Sequence, residues 1–177
     1  MGSKSAFDPA ALFAAIDRVR VERGLTWNGV AHEMWAKADA LHASLDGHEH
    51  PIAASTIKQL GNGTDTTCQH ALVMLRWLGR PPEDFIAEPV PGTSVALPEP
   101  GPAFMIRWDL RATYEALNAV RAARGATWQQ TAQRLHCTAN QLTGLRSAKY
   151  GTRMRLAMRI SQALRRPASD FVIASRR

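Results

Sequence analysis

Cysteine is scarce in this chain of 177 residues, with only Cys68 and Cys137, one in each half. Neither has a second cysteine at metal-ligand spacing, which argues against a disulfide framework and a thiolate metal site; both fall on apolar faces as small core residues. Long apolar runs are missing too. No stretch approaches the roughly 20 residues that a membrane-crossing helix needs, and the N-terminus has no basic-then-apolar leader. These absences predict a cytoplasmic protein with no membrane partner. Catalytic motifs are also lacking: there is no phosphate-cradling glycine loop, no nucleophile elbow and no carboxylate pair in an apolar setting. The expectation is no enzyme, no catalytic residue, no metal site and no cofactor. Acidic residues are few in one half only. Residues 103–177 hold three Asp/Glu against fourteen Lys/Arg (net +11), whereas residues 1–88 hold eleven against eight (net −3), within an overall formal charge of +7. Three carboxylates leave little from which to assemble a metal-dependent nuclease centre in the basic half. Its cation surplus is the footprint of a polyanionic partner, nucleic acid first, although anionic membranes or acidic proteins have the same electrostatic appeal.

What the chain does have is 45% apolar residues, enough for a packed core, and an internal duplication. Asp8-Pro9 is a helix start, with a capping carboxylate and proline at the first helical position, followed by Leu12, Phe13, Ile16 and Val19 at helical spacing. Asp109 opens the same design in the second half, followed by Tyr114, Leu117 and Val120. Arg23-Gly24 matches Arg124-Gly125, and Thr26-Trp27 matches Thr127-Trp128, at an offset of 101 residues. Ala31 and Met34 match Ala132 and Leu135. The offset then falls to 85, where Ile57 and Leu60 match Leu142 and Leu145, so the first half carries sixteen extra residues. Met34, Ala38, Leu41 and Leu45 predict that its second helix runs on to about Asp46-Gly47, before a loop through Pro51. Each half ends in a related pattern, Arg80-Pro81 to Asp84-Phe85 and Arg166-Pro167 to Asp170-Phe171, which predicts a fifth short helix docking a phenylalanine.

The stretch from Thr127 to Leu145 reads as two short helices joined by a tight turn. Thr127 and Thr138 are placed to cap them; Trp128, Ala132, Leu135, Leu142 and Leu145 form the inner stripe. Ala139, Asn140, Gln141 and Thr143 point outward near the start of the second helix. Asn and Gln can each make a bidentate pair with adenine in the major groove. The pattern resembles the helix-turn-helix of the lambda-repressor-like (XRE) regulators: Ala132, Leu135, Cys137, Thr138, Leu142 and Leu145 occupy that family's core and capping positions. His136 stands where the family usually has the turn glycine, a site that requires positive φ, which His tolerates better than most residues. The resemblance implies an all-α fold of two tandem five-helix domains and sequence-specific binding of double-stranded DNA in bacterial transcriptional regulation.

On this reading residues 1–88 form the first, acidic domain, 89–102 a proline-rich linker and 103–177 the second, basic domain. Glu88 to Ala103 carries five prolines and no periodic apolar pattern; fully extended it reaches about 50 Å, against the roughly 34–36 Å between successive major-groove faces. Base contacts are assigned to Ala139, Asn140, Gln141 and Thr143, and phosphate contacts to Gln129, Arg146, Lys149, Tyr150 and Arg153. Ser55, Thr56, Lys58 and Gln59 form a candidate second DNA site. It is set against a loop, Gly61-Asn62-Gly63-Thr64-Asp65, that has no cation and carries a carboxylate. Val73 and Trp77, one turn apart, are a candidate interface, as for a homodimer through the first domain, or else ordinary core. His42 and His48-Glu49-His50 suggest metal ligands, but a solvated polar loop is the simpler reading. The alternative function is a protein-interaction or antitoxin-like adaptor, whose acidic domain binds a protein and whose basic domain binds DNA without sequence preference.

Overall fold

A computed structural model of the chain describes residues 6–36, 52–101, 103–147 and 151–175. Local chemistry sets the first helix, α1 (Pro9–Glu22): the Asp8 carboxylate accepts the Ala10 and Ala11 N–H groups, Pro9 starts the helix, and Leu12 and Ile16 are buried. Gly24, at φ 63°, turns the chain into α2 (Trp27–Ala36). The predicted continuation of α2 lies outside the described residues. Next come α3 (Ala54–Leu60), α4 (Cys68–Leu78) and a 3-10 turn, Pro82–Phe85. The second half comprises β1 (Met105–Trp108), α5 (Leu110–Ala123), α6 (Trp128–Arg134), α7 (Ala139–Gly144), a 3-10 turn over Leu145–Ser147, α8 (Met154–Ala163), a 3-10 turn over Ala168–Phe171, and β2 (Val172–Ser175).

The duplication is visible atom by atom. Phe13 stacks on Trp27 with ring centroids 5.1 Å apart, and Tyr114 on Trp128 at 5.3 Å. Arg20 and Arg121 each lie 4.8 Å from the centroid of the matching tryptophan, and each donates to the backbone carbonyl two residues before it, Leu25 or Ala126. Arg80 pairs with Asp84 and Arg166 with Asp170, both at 2.8 Å. Phe85 and Phe171 dock on the core as expected, but on 3-10 turns.

The expectation of an all-α chain of two tandem five-helix domains is corrected. Strands β1 and β2 pair antiparallel, with Trp108 opposite Val172 and Met105 opposite Ser175. Among the described residues each half has four α-helices, and its closing segment is a 3-10 turn. In the first half the same closure is a single bridge, Phe7 to Ile86, and Asp8 N donates to Phe85 O just as Asp109 N donates to Phe171 O. The strands escaped sequence reading because four-residue strands are too short to show alternation. β1 is also largely buried on both faces, and its partner is far along the chain.

The two halves meet at a seam of unusual regularity. Thr67 and Arg153, equivalent residues 86 apart, form an antiparallel bridge with each other. Cys68 N donates to Thr152 O and Met154 N to Thr66 O, both at 2.8 Å. Each bond is the other's image under exchange of the halves, which defines a local two-fold axis through that bridge. Around it one core cluster joins Leu72, Met74, Leu75 and Phe85 of the first half to Met154, Met158 and Phe171 of the second. Glu83, fully buried, accepts the Ala168 N–H at 2.7 Å across the seam. The linker is held down as well. Arg76, 8% exposed, binds the Glu99 carboxylate and donates to the Gly101 and Phe104 carbonyls, while Gln162 accepts from Val90 N and donates to Thr93.

Candidate nucleic-acid interface

The stretch from Thr127 to Leu145 folds as two short helices around a tight turn, and each start is closed by a reciprocal cap. Thr127 Oγ1 accepts the Gln130 N–H at 3.1 Å while Gln130 Oε1 accepts the Thr127 N–H at 2.9 Å. Thr138 and Gln141 repeat this at 3.2 and 2.9 Å. His136 sits at φ 52°, the left-handed conformation anticipated for that position. Ala132, Leu135, Leu142 and Leu145 are buried in a second core cluster with Leu117, Leu156 and Ile160. This packing sets the rotation of α7 about its axis, and therefore which residues face water.

Asn140, Gln141 and Thr143 are exposed, and Ala139 is half-buried. Gln141 also serves the helix itself, since its Oε1 is committed to the cap and only the amide NH2 is left as its outward group. Thr143 Oγ1 donates back to the Ala139 carbonyl. Gln129 and Arg146 are exposed, whereas Arg153 lies at the seam and donates to Asp65 O at 3.1 Å. Lys149 and Tyr150 lie outside the described residues. On α3, Ser55, Lys58 and Gln59 are exposed and Thr56 is half-buried; its cap residue, Ala53, offers no side-chain bond. Val73 is half-buried against the core. Trp77, the other half of that candidate interface, is buried at 9% exposure with its Nε1 donating to Glu33, so it packs as core. His42 and the His48 to His50 cluster lie outside the described residues.

Charge is divided between packing and display. Arg155 donates to Gly63 O and to Phe7 O across the seam, and Arg159 to His136 O within the basic half, so two of its cations are spent on packing. Asp65, read from sequence as a phosphate-repelling carboxylate, instead accepts the Arg155 N–H at the seam. Burial pushes its carboxyl above the usual range, partly offset by backbone N–H groups of Arg155 and Thr66 and by the Arg155 and Arg153 guanidiniums. Burial lowers His70, with Arg153 adding to the effect, and raises the thiols of Cys68 and Cys137, consistent with small core residues. By contrast Arg111, Arg124, Arg134 and Arg146 are exposed with no carboxylate partner among the described residues. No family model, curated protein or solved structure matches this chain. No helix among the described residues is long and apolar enough to cross a membrane.

Sequence reading missed Arg155, Asp65 and Glu83 as seam residues, because nothing local marks a contact between halves. The double duty of Gln141 was legible, since threonine followed three residues later by glutamine is the spacing of a reciprocal cap.

Proposed function

We propose that the chain binds double-stranded DNA sequence-specifically, with α7 entering the major groove, and that it serves in bacterial transcriptional regulation, as its resemblance to the lambda-repressor-like regulators implies. The observation that carries this reading is the outer face of α7: Asn140, Gln141 and Thr143 stand exposed on a helix whose rotation is locked by fully buried Leu142. Asn140 is the main base reader, because its amide is free to pair with an adenine edge. Gln141 contributes through its NH2. Arg146 and Gln129 flank the face and hold phosphates, which fix register rather than sequence.

The test is selection of bound sequences from a random duplex pool with the full chain, followed by Asn140→Ala on the selected site. The variant should lose about 1–3 kcal/mol of affinity and relax preference at one position. Arg146→Ala should weaken all sequences alike and lower the salt slope by about one. Wild-type affinity in folded Asn140→Ala would overturn the assignment. Enrichment of no sequence would favour the adaptor reading. A two-part motif would bring α3 in as a second reader; its parts should be inverted and at one spacing, since the halves share a core.

A further inference from the structure

The molecule contains its own comparison. In the first half, the Trp77 indole fills the space bounded by α1, α2 and α4. Its Nε1 donates to Glu33 Oε2 at 3.1 Å, and Arg23 grips both oxygens of that carboxylate at 2.7 and 2.9 Å while lying 5.8 Å from the indole centroid. An aromatic ring and a carboxylate are thus held together by an arginine.

At the equivalent positions of the second half, Trp77 becomes Ala163, Glu33 becomes Arg134, Leu25 becomes Ala126 and Val30 becomes Thr131, while Arg20 and Arg23 persist as Arg121 and Arg124. The ring and the carboxylate are gone and the cations remain. What is left is an open groove of about 420 Å³, counting the part open to solvent. Leu117, Leu135 and Leu164 give it an apolar floor, and Arg124 and Arg134 line its edge. Arg121 is engaged with Asn118, Ala126 O and the Trp128 ring, but Arg124 and Arg134 have no carboxylate partner among the described residues.

We propose that this groove binds a small aromatic carboxylic acid, its ring in the place that Trp77 fills in the first half and its carboxylate on Arg124 and Arg134. Arginine is the side chain whose fork best matches a carboxylate. Two cations on an apolar floor favour an anion with an apolar body over inorganic phosphate or a neutral ring. The groove shares no residue with the outer face of α7, so this inference stands apart from DNA reading.

The test is calorimetric titration of the full chain with indole-3-acetate, and with neutral indole for comparison, at low salt. The acid should bind saturably at one site, and indole about tenfold or more weakly, the loss expected for charge-assisted hydrogen bonds. Ala163→Trp should fill the groove and abolish binding. Arg134→Glu should reduce affinity by about tenfold or more, by removing a cation and offering Arg124 an internal partner. Ala163→Trp with Arg134→Glu rebuilds the first-half arrangement and should raise the melting temperature. Absence of saturable binding by the acid up to about 10 mM, or binding undiminished in folded Arg134→Glu, would overturn the proposal. Because Arg134 is exposed, that variant decides the matter even if Ala163→Trp fails to fold.

Discussion

Trp77→Ala removes the side chain that plugs the first half, and its cost can be worked from what the indole touches. The side chain is 9% exposed, donates one hydrogen bond to Glu33 and lies under Arg23. Truncating a buried tryptophan costs about 3–5 kcal/mol, and the outer edge of this one meets solvent, which favours the lower part, about 3–4 kcal/mol. Of that, the bond to the carboxylate contributes about 1–1.5 kcal/mol, because Glu33 is partly hydrated, and the Arg23 contact about 0.5 kcal/mol. The remainder is packing. For a chain of this size the melting temperature should fall by roughly 6–15 °C. Urea unfolding followed by far-UV circular dichroism measures the loss directly, and an unchanged m-value would confirm that stability alone has moved. A double-mutant cycle with Glu33→Ala should give a coupling of about 0.5–1.5 kcal/mol. A loss under about 1 kcal/mol would mean that the indole is not the plug described, and the contrast between halves would fall with it.

Three further outcomes follow from single side chains. Thr138→Ala should cost about 1 kcal/mol of stability through loss of the α7 cap, read in the same urea titration, while Thr138→Ser should be nearly neutral. His136→Gly should stabilise by about 0.5–1 kcal/mol, since glycine accepts φ 52° without strain but loses more chain entropy. Glu83 is fully buried, and burial pushes its carboxyl above the usual range, only partly offset by the Ala168 N–H. The folded state therefore holds this proton more tightly than the unfolded state. The resulting stability is present below the ordinary glutamate range and lost as pH rises through the raised value. Glu83→Gln should flatten that part of the profile, checked by unfolding midpoints measured from about pH 4 to 8.

Legibility in the sequence followed the range of the interactions. The α1 start at Asp8-Pro9, the Thr127 and Thr138 caps and the positive φ at His136 are set by neighbours within a few residues, and all are visible in order along the chain. The β1–β2 pairing depends on residues at opposite ends of the second half, and the Thr67–Arg153 bridge joins residues 86 apart. No periodicity encodes such contacts. Val73 and Trp77 show the same limit: an apolar stripe reads alike whether it faces a partner or a pocket. The burial of Trp77 against the core and its bond to Glu33 settle that it is core.

The seam at Thr67 and Arg153 also changes what a substitution means. In a pair of identical subunits every change is made twice, so a lost carboxylate or an opened groove appears on both sides of the axis. Here the two sides are different stretches of one chain, and each can be edited once. Net charges of −3 and +11, and a groove filled on one side and open on the other, are combinations that an identical pair cannot reach. Joining the copies in one polypeptide also removes the dependence of their pairing on concentration, so the asymmetry persists at any dilution.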